Sequence, residues 1–426
     1  MEIGVLVGSI TALLIIGVPI GIAFGAGLVL LVLLFDTTTL EFIAQQMWTG
    51  LDSIPLLAIP MFIIAGALME TGGLSRRLVN FASKLVGNVY GGLGTVSVLA
   101  CMLFGAISGS GPATVAAIGT IMIPYMVRTG YNRNYSTALV ACAGGLGVIV
   151  PPSIPLILYG ACTHTSVGDL FLGGLAPAVL IAAALITVSY VISRKRGYRG
   201  EPSGFNLKEL GQSAWEAKWA LLMPIIILGG IYSGAFTPTE AAVIAILYST
   251  VIGLFVTKEL KWRDLITMLD KNSSFLGGFM LACVPAAAMG AILAMLNVPV
   301  LLTNALLAIS SNMYVIMLIV NIFLVFAGMV IDTIPAILIF APLLYSALIP
   351  MGIDPVQLGI IITVNLAIGF ITPPVANNLF IASTMTGIPM GKIVKEALPF
   401  VISMFVVLVL ISFIPEISLL PLLLTQ

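Results

Sequence analysis

Polar and helix-breaking residues interrupt long apolar stretches of this sequence in two similar places. The first interruption comprises Ser-Gly-Ser-Gly-Pro-Ala-Thr at 108–114 and Gly-Val-Ile-Val-Pro-Pro-Ser at 147–153. The second comprises Val-Ile-Asp-Thr-Ile-Pro at 330–335 and a segment at 369–378 that ends in Thr-Pro-Pro-Val-Ala-Asn-Asn. Unwound backbone presents carbonyl oxygens to hard cations, and half-helix N-termini present positive dipole ends to anions. The pattern therefore predicts a site for ions and a polar solute.

The two interruptions are related by a constant shift along the chain. Moving by 222 residues carries Ser110 onto Asp332, and it carries the Pro-Pro pair at 151–152 onto the pair at 373–374 without a gap. Backbone of this kind is tolerated at membrane depth only where it is buried in protein or lines a cavity. A matched pair of interrupted segments is the best sequence indication of a secondary transporter's binding site.

Each interruption has the oxygen ligands and the low net charge that suit a sodium ion, so we expect at least two sodium sites. The predicted sodium ligands of the first half are Ser108, Ser110, Thr114, Gly147 and Val150. Those of the second half are Gly328, Asp332, Thr333, Gly369 and Thr372. Predicted contacts with the transported solute come from Ser153, Asn377 and Asn378.

Asp332 is the one carboxylate that the sequence places near the bilayer centre. A buried, unpaired carboxylate is costly, so it should meet a cation or a proton; the alternative is that it only caps a half-helix. For Asn377 and Asn378, hydrogen bonding between helices is as good an explanation as solute binding. No nucleophile–base pair, metal-ligand cluster or phosphate-binding glycine loop occurs, so the sequence predicts neither an enzyme nor an ATP-driven pump.

Composition restricts the chain to one broad class. Sixty per cent of its 426 residues are hydrophobic and 8% are charged, with a mean hydropathy of +1.18. Apolar runs of bilayer length recur throughout, which predicts an all-α protein that crosses the lipid bilayer many times. The formal net charge is zero, so composition indicates no nucleic-acid partner.

Lysine and arginine positions predict the topology, because these residues favour the cytoplasmic side. Residues 4–34 are expected to form one span from a cytoplasmic N-terminus. The stretch 88–127 is flanked by basic residues, Lys84 before it and Arg128 after it, so both of its ends should be cytoplasmic. Because it is too short for two full spans, it predicts a re-entrant hairpin. A helix at 134–163, broken at the Pro-Pro pair, then crosses outward. These elements make up a first repeat, 1–199.

A polar linker with a surface helix and a connecting span is predicted at 200–240. The second repeat, 241–426, would have a hairpin at 312–350 and a broken helix at 356–386. The stretch from Lys271 to Lys392 lacks any lysine or arginine between these two, which places its loops outside or within the membrane. The C-terminus would then be periplasmic. The predicted fold is an inverted repeat with two opposed hairpins and two broken helices.

The tip at 108–114, the Val-Pro-Pro-Ser break at 150–153 and Thr-Pro-Pro-Val-Ala-Asn-Asn at 372–378 together resemble the large membrane subunit of TRAP transporters. The resemblance covers essentially the whole chain. It implies a sodium-driven, elevator-type importer of organic acids, such as C4-dicarboxylates or sialic acid, in a bacterial inner membrane. It also implies a small four-helix membrane subunit, expected as a separate chain, and an extracytoplasmic substrate-binding protein. The sodium sites would lie at the two hairpin tips.

Other functions are compatible with the same residues. One is a sodium–dicarboxylate symporter that works without partners, and another is a sodium–proton antiporter in which Asp332 exchanges the ions. A purely structural membrane subunit is disfavoured, because polar, glycine-rich tips at membrane depth cost stability without improving packing.

Overall fold

The computed structural model describes residues 1–35, 37–86, 89–200 and 206–423. The helices of the first half are α1 (Glu2–Ile15), α2 (Ile20–Phe35), α3 (Leu40–Leu51), α4 (Ile54–Thr71), α5 (Leu74–Val86), α6 (Gly92–Ser108), α7 (Gly111–Arg128), α8 (Arg133–Ala143), α9 (Leu146–Ile149), α10 (Ile154–Thr163) and α11 (Val167–Arg196). Those of the second half are α12 (Leu207–Tyr232), α13 (Pro238–Val251), α14 (Trp262–Met295), α15 (Val298–Ile309), α16 (Met313–Val330), α17 (Thr333–Leu348), α18 (Pro355–Gly369), α19 (Asn377–Thr386), α20 (Met390–Phe413) and α21 (Glu416–Leu423). Nine helical segments in these ranges are long and apolar enough to span a membrane.

The all-α fold class predicted from the sequence is confirmed, and helix boundaries follow the 222-residue shift closely. Helix α7 begins at 111 and α17 at 333, while α10 begins at 154 and α19 at 377. Each repeat has a helical hairpin, α6–α7 or α16–α17, followed by a helix broken at a Pro-Pro pair. Within the predicted linker 200–240, the surface helix and the connecting span form one continuous helix, α12, which is followed by a turn and by the start of α13. Residues 201–205 lie outside the described ranges.

The predicted single span at 4–34 is wrong, because the chain turns back on itself there. Gly17 has a positive φ of 86°. Pro19 has no amide hydrogen to donate, so it interrupts the helical hydrogen bonds. Helices α1 and α2 therefore pack against each other, with Ile10 beside Gly27. The predicted cytoplasmic location of the N-terminus depended on a single crossing, and it stays a prediction.

The helices can be divided into two blocks, which contact each other where α5 packs on α6, α14 on α17 and α4 on α10. An outer block contains α1–α5 and α12–α15, in which α4 packs on α13, α5 on α12, and α14 on both α2 and α3. An inner block contains α6–α11 and α16–α21, in which α8 and α11 pack on α20, α16 on α18, and α10 on α17. The broken helix α8–α10 lies at the centre of the inner block, since its most apolar 18-residue window is 100% buried.

Buried polar side chains join the broken helix of each repeat to the helix that follows it. In the first repeat, Tyr135 of α8 lies with its hydroxyl 2.9 Å from the Ser189 hydroxyl of α11. In the second, the link passes through α16. Asn365 of α18 donates to the side-chain oxygen of Asn321 at 2.8 Å, and the Asn321 side-chain nitrogen donates to the Ser412 hydroxyl of α20 at 2.8 Å. Hydrogen bonds of this kind hold helices together where water is excluded.

Close packing between the repeats predicts a position that cannot accept a side chain. A Cβ added to Gly359 of α18 would lie 2.6 Å from the Tyr159 ring of α10, whose hydroxyl donates to the Pro355 carbonyl at 2.8 Å. The ring is fully buried and cannot move aside, and such overpacking costs about 1–3 kcal/mol. We therefore expect Gly359→Ala to lower the thermal unfolding midpoint of the detergent-solubilised chain by several degrees.

Gly391→Ala is the matched control, because nothing lies within 4 Å of a Cβ added there. Both midpoints are measured by heating the protein and counting the fraction that remains monodisperse on size exclusion. Equal midpoints for the two variants would show that the Tyr159 contact is not tightly packed.

Candidate functional site

The first hairpin tip is closed by hydrogen bonds among its own hydroxyl groups. Helix α6 ends at Ser108, Gly109 turns the chain with a φ of 60°, and Ser110 caps α7 by accepting from the Ala113 amide at 3.4 Å. The Thr114 hydroxyl donates to the Ser110 carbonyl at 2.7 Å and lies 3.1 Å from the Ser108 hydroxyl. The three predicted hydroxyl ligands of the first half therefore lie together.

This tip docks into the break between α8 and α10. The Ile154 amide donates to the Gly109 carbonyl at 3.3 Å, which joins the tip directly to the break of the same repeat. A Cβ on Gly147 would lie 2.6 Å from the Ser110 carbonyl oxygen, so only glycine permits this approach. The predicted ligands Gly147 and Val150 are both buried in the same break. A backbone hydrogen-bonding group freed by the break thus finds its partner in the hairpin tip.

The second tip has the same construction with a carboxylate in place of a hydroxyl. Asp332 caps α17, and its Oδ1 accepts from the Thr333 amide at 2.7 Å. Gly328 and Gly369 face each other, and a Cβ on Gly369 would lie 2.6 Å from the Gly328 Cα atom. The Thr372 hydroxyl donates to the Ile368 carbonyl at 2.8 Å. Among the predicted ligands of the second half, Gly328 and Gly369 are therefore in contact, and Asp332 and Thr333 lie together in the cavity wall.

A cavity of about 150 Å³ lies where the two interruptions meet. It is lined by Ile63, Gly109, Ser110, Pro112, Val148, Ile154, Pro155, Asp332, Thr333, Ile334, Phe370 and Asn377. These residues include the caps or first turns of four helices, α7, α10, α17 and α19. Both repeats thus direct two helix N-termini each at one small volume, as the sequence predicted in outline.

This cavity combines one carboxyl group with several positive helix-dipole ends. Asp332 is the one charged residue among those that line it. Each helix N-terminus contributes a positive end equivalent to about half a charge, which attracts anions without arginine or lysine. The Thr333 hydroxyl oxygen is buried without a hydrogen-bond partner among the described residues, so it is available to a ligand. Carboxylate, hydroxyl and carbonyl oxygens suit a hard cation at the same place.

A second cavity of about 270 Å³ adjoins the first and shares Ile63, Ser110, Pro112 and Ile154 with it. It extends along α4 past Gly66 and Ala67 and is also lined by Glu70 and Asn272. Sequence reasoning missed Glu70 and Asn272, because each was part of the polar flank of a span. For Glu70, the sequence offered one usable signal of its position. It lies seven residues after Ile63, so both side chains are on the same face of α4.

The residues predicted to contact the solute divide into two groups. Asn377 lines the smaller cavity, and its contact with the solute stays a prediction. Ser153 instead caps α10 and donates its hydroxyl to the Val148 carbonyl at 2.5 Å, and it is fully buried. Asn378 is also fully buried, with its amide nitrogen on the Ala141 carbonyl at 3.2 Å. Neither Ser153 nor Asn378 lines either cavity, so their predicted contacts with the solute have no support from these two cavities.

Comparison with known proteins places this chain among transport proteins. Residues 7–417 match the family described as "Tripartite ATP-independent periplasmic transporter, DctM component". The C4-dicarboxylate TRAP transporter large permease protein DctM of Pseudomonas aeruginosa is 41% identical over 390 residues, which cover 92% of this chain and 91% of that protein. The sialic acid TRAP transporter large permease protein SiaM of Vibrio cholerae is 37% identical, covering 97% and 98%.

Two further similarities concern chain length and fold. The isethionate TRAP transporter permease protein DctMQ of Oleidesulfovibrio alaskensis is 41% identical over 97% of this chain, which spans 65% of that longer protein. The crystal structure of the Alcanivorax borkumensis YdaH transporter superposes with a TM-score of 0.62 at 15% identity, covering 87% of this chain and 86% of that one. At this identity the likeness is one of fold alone.

The predicted role of Asp332 as a cation ligand can be separated from its observed role as a helix cap. Asparagine is as good an N-cap as aspartate, so Asp332→Asn keeps α17 intact but removes the charge from the cavity. We expect the half-saturating sodium concentration for stabilisation of the purified chain to rise at least about tenfold, a loss of ~1.4 kcal/mol in binding free energy. The readout is the thermal unfolding midpoint against sodium concentration.

Asp354→Asn is the matched control, because Asp354 caps α18 through the Val356 and Gln357 amides and lines neither cavity. It should leave the sodium response unchanged. If Asp332→Asn behaved like this control, Asp332 would be a helix cap only.

Proposed function

The chain belongs to the DctM family, the large permease component of tripartite ATP-independent periplasmic transporters, and we propose that it imports an organic acid driven by sodium. The observation that carries this proposal is the cavity that both repeats share. Four helix N-termini and the Asn377 amide offer binding to an anion, while Asp332 and the tip hydroxyls offer binding to a cation. A site that holds both ions within one volume can couple their movements.

The names of similar permeases support a proposal for the class of solute. The names of similar permeases mention C4-dicarboxylates, sialic acid and isethionate, all of which are organic acids. We propose a substrate of this class, a C4-dicarboxylate or a sialic acid, with sodium ions bound at the two hairpin tips, at least two per cycle. The proposed location is the bacterial inner membrane, with the C-terminus on the periplasmic side.

The proposed partners are a small four-helix membrane subunit and an extracytoplasmic binding protein that delivers the acid. Support comes from the family description, which names a tripartite periplasmic system. Support for an outer surface open to a partner comes from a cavity of about 620 Å³ lined by polar residues of the α3–α4 connection, including Asp52 and Ser53, and by His164.

We further propose an elevator movement of the inner block against the outer block. Each of the four ion pairs between described residues joins members of the same block. In the outer block, Arg76 and Arg77 pair with Glu259 at 3.1 and 2.8 Å, and Lys84 pairs with Glu209 at 3.0 Å. In the inner block, Arg196 pairs with Glu396 at 2.9 Å. Movement between the blocks would leave all four pairs in place.

In the first repeat, the chain passes from one block to the other between α5 and α6 and again after α11. Hydrogen bonds join these two connections. The Gly91 amide donates to the Tyr198 carbonyl at 3.0 Å, and the Gly200 amide donates to the Val89 carbonyl at 2.9 Å. The Arg199 guanidinium stacks 4.6 Å from the centre of the Tyr90 ring and donates to its hydroxyl at 2.8 Å. Because these hydrogen bonds tie the two connections together as one unit, the connections are suited to act as a single hinge.

The transport proposal is tested by solute uptake into proteoliposomes with an inward sodium gradient. The chain alone is compared with the chain plus a small membrane subunit and a binding protein loaded with candidate acids. We expect uptake only with all three components and only with sodium. Uptake by the chain alone would support a self-sufficient symporter. Sodium-driven proton flux without acid uptake would support an antiporter, and either result would overturn the proposal.

The elevator proposal predicts that a bond across the block boundary stops transport. The Thr303 hydroxyl of α15 donates to the Ala347 carbonyl of α17 at 3.3 Å, so these outer-block and inner-block residues are adjacent. In a background free of native cysteines, oxidation of the double variant Thr303→Cys, Ala347→Cys should reduce uptake at least about tenfold, and a reductant should restore it. The native cysteines to be replaced by alanine are Cys101, Cys142, Cys162 and Cys283.

The control places the cross-link inside the inner block, with Asn321→Cys and Ser412→Cys on α16 and α20, whose side chains touch at 2.8 Å. Oxidation of this pair should leave uptake at the level of its reduced form. If the Thr303–Ala347 cross-link formed in full and uptake continued, the two blocks would not need to slide past each other.

A further inference from the structure

Asn378 connects the two helix interruptions although it lies behind the cavity wall. Its backbone amide donates to the Phe370 carbonyl at 3.0 Å, which closes the break between α18 and α19 in the second repeat. Its side-chain amide nitrogen donates to the Ala141 carbonyl at 3.2 Å, at the end of α8 in the first repeat. One residue therefore holds the broken helices of both repeats at once.

The Asn378 carboxamide fits between two glycines that belong to the first interruption. A Cβ on Gly111, the first residue of α7, would lie 3.2 Å from the Asn378 carbonyl oxygen. A Cβ on Gly144, where α8 ends, would lie 3.4 Å from the Asn378 amide nitrogen. Gly111 follows the tip residue Ser110 directly, and Gly144 begins the break that contains Gly147. The carboxamide thus lies close to both sides of the first proposed ion site without lining the cavity.

Packing alone does not explain an amide at this position. Asn378 is fully buried, and its side-chain oxygen has no hydrogen-bond partner among the described residues. A leucine of similar size would avoid the cost of burying that oxygen. The 222-residue shift carries position 378 onto Leu156, so the first repeat has an apolar residue at the equivalent place. The link between the breaks is therefore made from one side only.

We propose that Asn378 is a positioning residue that couples the two sodium sites. Sodium at the first tip fixes the spacing between Gly111 and Gly144, and Asn378 transmits that spacing to the 370–376 break that frames the second site. Binding at one site then favours binding at the other, because a single rigid contact serves both. This inference rests on the proposed sodium-driven function.

The test measures the sodium dependence of thermal stability for the purified full-length chain. Choline chloride keeps the ionic strength constant, so stabilisation reports bound sodium. The unsubstituted chain should respond cooperatively, with a Hill coefficient approaching about 2 for two coupled sites. Asn378→Leu fills the space but cannot donate to Ala141, and we expect its coefficient to fall to about 1. Asn378→Ser is a second, smaller variant whose side chain also cannot reach the Ala141 carbonyl. It should show the same fall in the Hill coefficient, and it replaces the leucine variant if that variant fails to fold.

Asn365→Leu is the matched control for loss of a buried amide. Asn365 of α18 donates to Asn321 and to the Ile361 carbonyl, both at 2.8 Å, so its hydrogen bonds stay within the second repeat. It should lower the unfolding midpoint but keep the cooperative sodium response.

The outcomes separate this inference from the function on which it rests. An unsubstituted chain that sodium stabilises no more than choline would overturn the sodium proposal, and the coupling role of Asn378 with it. A cooperative response retained in the Asn378 variants would overturn only the coupling role. A loss of cooperativity in Asn365→Leu as well would show that any loosening of the inner block uncouples the sites, and the assignment to Asn378 would be wrong.

Discussion

Backbone groups freed by the helix interruptions have to be satisfied where no water is available, and the remaining architecture depends on this constraint. An unpaired amide or carbonyl in an apolar interior is costly. Here each hairpin tip supplies partners for the neighbouring break. The Ile154 amide donates to the Gly109 carbonyl in the first repeat, and the Val375 amide donates to the Met329 carbonyl at 3.0 Å in the second. Tip and break therefore have to be built together, as one unit.

Glycine makes this docking possible, because backbone can approach backbone only where side chains are absent. The Gly328–Gly369 and Gly105–Gly147 pairs occupy equivalent contacts in the two repeats, between a hairpin arm and the broken helix beside it. The same close approach leaves little space, so the shared cavity is small and its lining is set by backbone and short polar side chains. Binding in such a site relies on helix dipoles and carbonyl oxygens rather than on long charged side chains.

The two repeats share a backbone plan but divide the chemistry between them. The first tip has hydroxyl groups that bond to one another, whereas the second has the carboxylate of Asp332 and the unpaired Thr333 hydroxyl. The contact through Asn378 likewise has no counterpart in the first repeat. In the proposed alternating access, pseudo-symmetric backbones would allow the two halves to exchange conformations, and the asymmetric side chains would allow each half to bind a different ligand.

The sequence alone determined the all-α membrane class, the two hairpins, the two broken helices and the residues at their tips. These features follow from apolar length and from proline and glycine positions, which act locally and therefore show in the chain itself. Tertiary structure decided what surrounds those tips. It placed Asn377 in the cavity wall and the adjacent Asn378 behind it, and it brought Glu70 of α4 beside the first tip. It also folded α1 back on α2, where the long apolar run predicted one span; Gly17 and Pro19 mark that turn locally, but the apolar length outweighed them in the prediction. The other outcomes depend on which helix packs against which, and no local pattern in the sequence contains that information.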